Sequence, residues 1–216
     1  MSAPPAAPPA APPPAPALIS QHTTASSFLL SALHSSTPCT LLICSARDVF
    51  RQRLSPSFAA TLPTLAHLRG GQHTAVVFLP SILHVRTYLA SLSSSLAHGA
   101  GELRVWGLIS AHAETSEFSA QGVGRTLAAL VEVGRRAGAG VVIAEEGEAW
   151  WETELSVLNA SASGRLDRLG VVAGRTVGLG KVLGRWFDFE EGCEGEGVEG
   201  EGGEEQEEWE GESDGL

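Results

Sequence analysis

Four short apolar runs, separated by segments with helical periodicity, constrain the fold of this chain more than any other feature. The runs cover residues 39–45 (CTLLICS), 74–79 (TAVVFL), 103–109 (LRVWGLI) and 139–144 (AGVVIA). They are almost continuously apolar, which is typical of strands buried on both faces of a parallel sheet. Helical spacing predicts helices over residues 24–35, 47–68 (interrupted near Pro56 and Pro63), 82–96 and 121–137. This alternation predicts an α/β fold with right-handed crossovers.

The sequence pattern changes after Trp151. Residues 155–158, 174–183 and 185–189 are predicted to be short β segments with Gly-rich connections, which extend the sheet in antiparallel fashion. Residues 110–120 (SAHAETSEFSA) are predicted to be a polar loop between the third strand and the long helix.

Both ends of the chain have compositions that do not build a core. Residues 1–17 hold eight of the twelve prolines and no charge, which predicts a disordered Pro/Ala arm. Residues 190–216 are dominated by Gly and Glu, which predicts a disordered acidic tail. Residues 18–189 are therefore expected to form one domain. Residues 188–216 carry 14 of the 25 acidic side chains and no basic one, so the preceding 187 residues have 14 basic and 11 acidic side chains, a net charge of +3.

The order of elements resembles the ATPase core of RecA-type strand-exchange proteins and their eukaryotic paralogues. Residues 39–54 (CTLLICSARDVFRQRL) resemble the second strand of that family and the helix after it, and residues 76–92 resemble the next pair. Residues 103–146 resemble the Walker B strand, its loop, the following helix and the next strand, most closely in FSAQGVGRTLAALVEVGRRAGAGVVIAEE. The resemblance implies a RecA-like, mostly parallel sheet flanked by helices, with antiparallel C-terminal β segments.

The phosphate loop of that family is missing from the sequence. A nucleotide site of this kind needs a Gly-rich turn that ends in Gly-Lys-Ser/Thr, because backbone amides and a lysine hold the phosphates. No G-x-x-x-x-G-K-[ST] occurs, Lys181 is the one lysine of the chain, and the corresponding stretch reads QHTTASSF.

The other nucleotide-handling positions of the family are also changed. The Walker B aspartate aligns with Ile109 or Ser110, and Asp48 is out of register with the catalytic glutamate. Glu145 and Glu146 stand where the family has an amide pair. Since phosphoryl transfer depends on positioned cations and a metal ion, the resemblance predicts no ATP hydrolysis, no enzyme activity and no cofactor.

Other possible sites have simpler explanations. The glycines in GLGKVLG (residues 178–184) do not open an amphipathic helix, so a Gly-rich strand or hairpin is favoured over a dinucleotide loop. The seven histidines lack ligand spacing, which predicts no metal site. His112 with Glu114 and Glu117 resembles an acid–base group only in composition, and a solvated loop is favoured. Three cysteines make no disulfide framework, which indicates a reducing compartment.

Basic and aromatic side chains provide the candidate binding residues. Arginine-rich loops beside a RecA-like sheet can contact the phosphates of single-stranded DNA, and a solubilising, salt-bridged surface is the alternative. The nucleic-acid candidates are Arg47, Arg51, Arg135, Arg136, Arg165, Arg168 and Lys181. The interface candidates are Phe118, Trp151 and Trp186. The acidic tail is either a solubility tail or a segment that binds a basic surface, with Trp209 as a candidate docking residue.

Three hypotheses about function follow. The first is a non-catalytic RecA-like subunit that pairs with paralogous subunits, resembles the small subunits of the Shu-type mediator complex and helps to load a recombinase on single-stranded DNA. The second is a subunit similar to the Elongator accessory ring, which binds transfer RNA. The third is a divergent nucleotide-dependent enzyme. No stretch of the sequence approaches the length of a membrane span. The first hypothesis, together with the cysteine content, predicts a nuclear location, with the cytoplasm as the alternative.

Overall fold

A computed structural model of the protein describes residues 17–20, 22, 24–35, 37–54, 58, 64–92, 101–147, 150–158 and 175–189. Residues 1–16 of the Pro/Ala arm, the acidic segment 190–216 and two of the nucleic-acid candidates, Arg165 and Arg168, lie outside the described residues. None of the helices within the described ranges combines the length and the apolar character needed to cross a lipid bilayer.

Six parallel strands form the central sheet, and two further strands form a small antiparallel sheet of their own. The strands are β1 Ala17–Ile19, β2 Cys39–Ile43, β3 Thr74–Phe78, β4 Glu102–Trp106, β5 Gly140–Ala144, β6 Glu154–Ser156, β7 Thr176–Gly178 and β8 Asp188–Phe189. The order in the central sheet is β3-β2-β4-β5-β1-β8, and β6 pairs with β7. The predicted α/β class is confirmed, and the arrangement is consistent with a RecA-like fold.

Seven α-helices have both of their ends within the described residues. They are α1 Ala25–His34, α2 Arg47–Arg53, α3 Leu65–His73, α4 Ile82–Leu92, α5 Leu108–Ala113, α6 Ala120–Ala137 and α7 Leu179–Leu183. Helix α6 begins at the cap residue Ser119, whose hydroxyl accepts the amide of Gly122, and it ends at Gly138, whose φ of 63° suits glycine. The bounds of α6 are therefore set by its own sequence.

Alternation along the strands divides the core into two layers. On one face of the sheet, Leu42, Val105 and Ile143 pack in a large cluster with apolar side chains of α4, α6 and α7. On the other face, a smaller cluster contains Leu41 and Trp106 together with side chains of α1 and α2. Burial on both faces explains why these strands are continuously apolar in sequence.

The structure corrects several sequence predictions about elements. The antiparallel C-terminal segments form a separate sheet rather than an extension of the main one, residues 179–183 are helical, and β8 joins the main sheet in parallel beside β1. Strand β4 ends at Trp106 because Gly107, with φ of 77°, turns the chain into α5. The predicted polar loop over residues 110–120 therefore begins with helix.

Candidate functional site

The carboxyl edge of the parallel sheet is the place where folds of this kind bind ligands. Here the ends of β1, β2, β4 and β5 meet, and each is followed by a loop or a helix that shapes the edge. In RecA-like proteins, the phosphate loop occupies the position that corresponds to the connection between β1 and α1.

The connection from β1 to α1 is short and lacks phosphate-binding residues. Residues 20–24 read SQHTT, with neither glycine nor lysine. The hydroxyl of Thr24 accepts the backbone amide of Ser27 at 3.2 Å, which caps α1 from within the chain. One of the donors that a phosphate would use at a helix N-terminus is thus already bonded to a side chain.

A large aromatic pair fills the space below α1. Trp106, the last residue of β4, is almost completely buried, and its ring centroid lies 5.3 Å from that of Phe28 on α1. The Walker B aspartate was predicted to align with Ile109 or Ser110, but both of these residues lie in α5. The end of β4 is occupied by Trp106 and Gly107, so no carboxylate follows this strand directly.

A buried carboxylate enters this edge from the neighbouring strand. Glu145 follows β5 and is 3% exposed, and its Oε2 accepts the amide of Ile109 at 2.7 Å and that of Ser110 at 3.3 Å. Its Oε1 accepts the hydroxyl of Ser110 at 2.7 Å. Burial raises the pKa of Glu145, and these hydrogen bonds offset only part of that effect. Glu145 therefore caps the first turn of α5 and joins it to β5.

The next residue closes the edge on its solvent side. Glu146 is exposed and lies 3.2 Å from the guanidinium of Arg53 at the end of α2. Helix α2 follows β2, so this ion pair links the elements after β2 and β5, the two strands that flank β4. The two glutamates thus have different roles, one as a buried cap and one as a surface ion pair.

A polar cluster lies under the connection between α5 and α6. His112 on α5 is fully buried, and its Nε2 lies 3.0 Å from the hydroxyl of Thr126 on α6. Arg86 on α4 donates to that hydroxyl at 3.2 Å and pairs with Glu117 at 2.5 Å. Burial, reinforced by the charge of Arg86, lowers the pKa of His112 to about 4. The prediction of a solvated loop was wrong for His112, which is buried and links α5 to α6, whereas Glu114 is exposed.

The predicted nucleic-acid residues lie at different edges of the sheet. Arg47 and Arg51 are exposed on α2, which follows β2 and so lies at the carboxyl edge. Arg135 and Arg136 lie in the last turn of α6, which leads into the amino end of β5. Both bind Glu132, at 3.0 and 2.6 Å, and they lower the pKa of its carboxyl to about 2. The described arginines of this set therefore do not form one surface, and Lys181 is exposed separately on α7.

The predicted interface aromatics differ in exposure. Phe118 and Trp151 are partly buried against the main core, and the ring of Trp151 lies 6.1 Å from that of Phe189. Trp186 is 39% exposed and lines a surface groove between α6 and the small sheet. Among these three, Trp186 offers the most accessible ring.

An apolar surface groove, and a set of exposed apolar side chains on β3 and its flanking helices, were missed by sequence reasoning. Eight large apolar side chains are exposed among the described residues, and all but Val49 fall into two groups. Leu65, Leu68, Val76 and Leu83 lie on β3 and on the helices directly before and after it. Val157, Leu158 and Trp186 line the groove. The uncharged run TAVVF was visible in the sequence, but only the strand order shows that β3 lies at an edge of the sheet.

Among the described residues, no three His, Cys, Asp or Glu side chains are grouped so that they could hold a metal ion. Cys39 and Cys44 are buried, and burial raises the pKa of Cys39 to about 11 and that of Cys44 still further. These thiols are therefore packing groups rather than ligands.

No protein-family model matches this chain, and comparison with curated proteins finds no match.

Proposed function

We propose that this chain is a non-catalytic RecA-like subunit of a hetero-oligomeric complex that assists homologous recombination by helping to load a recombinase on single-stranded DNA. The resemblance of residues 39–54, 76–92 and 103–146 to strand-exchange proteins supports the pathway. The exposed edge of β3 is the observation that carries the subunit role.

Strand β3 is the outer strand of the sheet and is suited to pairing with another chain. Among the described strands it pairs only with β2, and its sequence TAVVF contains none of the charges or prolines that commonly protect an edge. Val76 in β3 is 47% exposed. Leu83, on the helix that follows β3 in sequence, is also exposed. An incoming strand would gain main-chain hydrogen bonds together with apolar contacts.

The non-catalytic part of the proposal is supported by the carboxyl edge. The β1–α1 connection has no lysine or glycine, the N-terminus of α1 is capped by Thr24, and the end of β4 is filled by Trp106. The buried carboxylate of Glu145 near this edge is engaged by an amide and a hydroxyl of α5 rather than directed to solvent. Each of these features removes a contact that a triphosphate or its magnesium would need.

A thermal-shift measurement tests the non-catalytic part. ATP with Mg²⁺, and separately NAD, are titrated to millimolar concentrations against the full-length chain. The melting temperature is expected to stay constant, because a ligand that does not bind the native state cannot stabilise it. A rise that depends on nucleotide concentration would instead support a divergent nucleotide-dependent enzyme.

Affinity purification of the tagged chain from its native cells, with mass spectrometry, tests the pathway. Recovery of RecA-type paralogues together with a recombinase is the expected result. Recovery of Elongator subunits would overturn it in favour of the transfer-RNA hypothesis. Binding of the purified complex to single-stranded DNA and to transfer RNA at several salt concentrations then distinguishes the two nucleic acids.

A further inference from the structure

A surface groove of about 580 Å³ runs between α6 and the C-terminal β6–β7–α7 region. One wall is the face of α6 formed by Ala120, Gly124 and Ala128, which are small and leave the helix surface open. A Cβ added at Gly124 would meet no atom within 4 Å, so this glycine is not required by packing inside the chain.

The opposite wall exposes large apolar side chains. Val157 and Leu158 follow β6 and are 39% and 56% exposed, and the 39% exposed Trp186 follows α7. These residues are three of the eight large apolar side chains that are exposed within the described ranges. Such a concentration marks an interaction surface, because isolated exposed apolar residues are ordinary but clustered ones are not.

Positive charge surrounds this apolar wall. Arg125 on α6 and Arg185 after α7 line the groove, and both are exposed. Arg175, two residues before the groove residue Val177, and Lys181, next to the groove residue Val182, are exposed as well. None of the ion pairs found among the described residues uses any of these four cations. The groove therefore fits an occupant that combines an aromatic or apolar side chain with several carboxylates.

The chain carries such a segment close by. Residues 190–216 contain 13 acidic side chains, no basic one and a single aromatic residue, Trp209, within EEQEEWEGE. We propose that the segment around Trp209 docks in this groove, with its indole against Trp186 and Leu158 and its glutamates beside Arg125 and Arg185.

Chain length allows this contact without strain. The described chain ends at Phe189 in β8, three residues beyond Trp186, and Trp209 follows 20 residues later. A Gly-rich chain of that length has a mean reach of about 25 Å, comparable with the size of a small domain. Attachment to the same chain gives an effective concentration in the millimolar range, so even weak contacts populate the docked state. A competing acidic ligand must displace the segment before it can enter the groove.

Photo-cross-linking of the full-length chain tests the proposal. Trp209 is replaced by p-benzoylphenylalanine, the protein is irradiated at low micromolar concentration, and cross-linked peptides are identified by mass spectrometry. Cross-links within one molecule to residues 120–128, 157–158 or 182–186 are expected. Cross-links between two copies would overturn the proposal in favour of self-association, and absence of any cross-link to the groove would overturn it outright.

Two matched double variants show whether charge holds the segment. Arg125→Glu with Arg185→Glu is expected to abolish the groove cross-link, and Arg135→Glu with Arg136→Glu, at the far end of α6, is expected to leave it unchanged. Equal loss in both would show that the contact is nonspecific. Circular dichroism verifies that each variant is folded. If the groove variant fails to fold, a competition experiment replaces it. A peptide of residues 204–212, added to the cross-linking protein with its native groove, is expected to reduce the cross-link, and no reduction would contradict the proposal.

Discussion

The carboxylate of Glu145 accepts the backbone amide of Ile109 at 2.7 Å and thereby ties the end of β5 to the start of α5. This contact, with the two from Ser110, gives buried partners to both carboxylate oxygens. It also fixes the turn at Gly107, where the chain leaves β4 with a φ of 77°. The carboxyl edge of this sheet is thus held by an internal hydrogen-bond network, at the edge where parallel α/β sheets commonly bind ligands.

Substitutions at Glu145 test this network. Glu145→Ala leaves buried donors of α5 unpaired and is expected to lower the free energy of unfolding by about 2–4 kcal/mol. Glu145→Gln keeps an acceptor for the Ile109 amide and removes the buried charge, so its stability at neutral pH is expected to equal or exceed that of the wild type. Urea unfolding monitored by tryptophan fluorescence gives both values.

The same pair of proteins tests the raised pKa of Glu145. An acid whose pKa is higher in the folded state contributes most stability when protonated, and that contribution is lost as pH rises through the folded-state pKa. The wild type is therefore expected to lose stability relative to Glu145→Gln as the pH rises from about 4.5, the usual value of a glutamate. A constant difference between the two proteins across pH would contradict the buried-carboxylate assignment.

The buried His112 is expected to give the free energy of unfolding the opposite dependence on pH. Its pKa falls from 6.5 to about 4 in the folded protein, so the unfolded chain takes up the proton first as pH decreases. Its contribution is complete above pH 6.5 and is lost between pH 6.5 and 4, with a full amplitude of about 3 kcal/mol. His112→Gln, which stays neutral, is expected to flatten this part of the stability profile. His73→Gln makes the same substitution at an exposed histidine and serves as the control.

Two adjacent glycines in α3 provide a matched test of helix packing. A Cβ at Gly70 would lie 1.9 Å from the carbonyl oxygen of Leu33 in α1, whereas one at Gly71 would meet only the end of the Leu33 side chain at 4.0 Å. Gly70→Ala must separate the helices and is expected to cost about 2–3 kcal/mol. Gly71→Ala should be neutral or stabilising by up to about 1 kcal/mol, because alanine favours helix. Thermal melts followed by circular dichroism compare the two, and equal effects would contradict the close crossing of α1 and α3.

The sequence was sufficient for the parts of the fold that depend on local pattern. Strands β2 and β5 were predicted because burial on both faces makes them continuously apolar. The apolar run of β3 predicted a strand as well, although its side chains are half-buried or exposed at the sheet edge. Strand β4 was predicted too long, since LRVWGLI stays apolar while the backbone turns at Gly107 from strand into helix. The three residues of β1 were missed because they adjoin the Pro/Ala run, and their place depends on pairing with β5 and β8.

The features of the candidate site depend on contacts between residues far apart in sequence. Glu145 and Ile109 are separated by 36 residues, and Arg86 and Thr126 by 40. Residue types alone favoured a solvated loop around His112, and gave Glu145 only as a replacement for an amide of the resembled family. Their burial follows from the packing of α5 between β5 and α6, which no local pattern reports. The groove at Trp186 was likewise hidden, because its walls come from separate segments.

A charge placed on the edge of β3 tests whether partner subunits bind there, and the chain offers a matched pair of exposed valines. Val76 in the centre of β3 is 47% exposed, and Val49 on α2 is 43% exposed. Val76→Lys places a charge on the edge where a partner strand would pair, so co-purification of paralogous subunits should be reduced strongly. Val49→Lys adds the same charge at similar exposure elsewhere and should leave co-purification unchanged. Since both positions are solvent-exposed, the two variants are expected to melt at nearly the same temperature as the wild type. Retention of the partners by the Val76 variant would show that the complex forms through another surface.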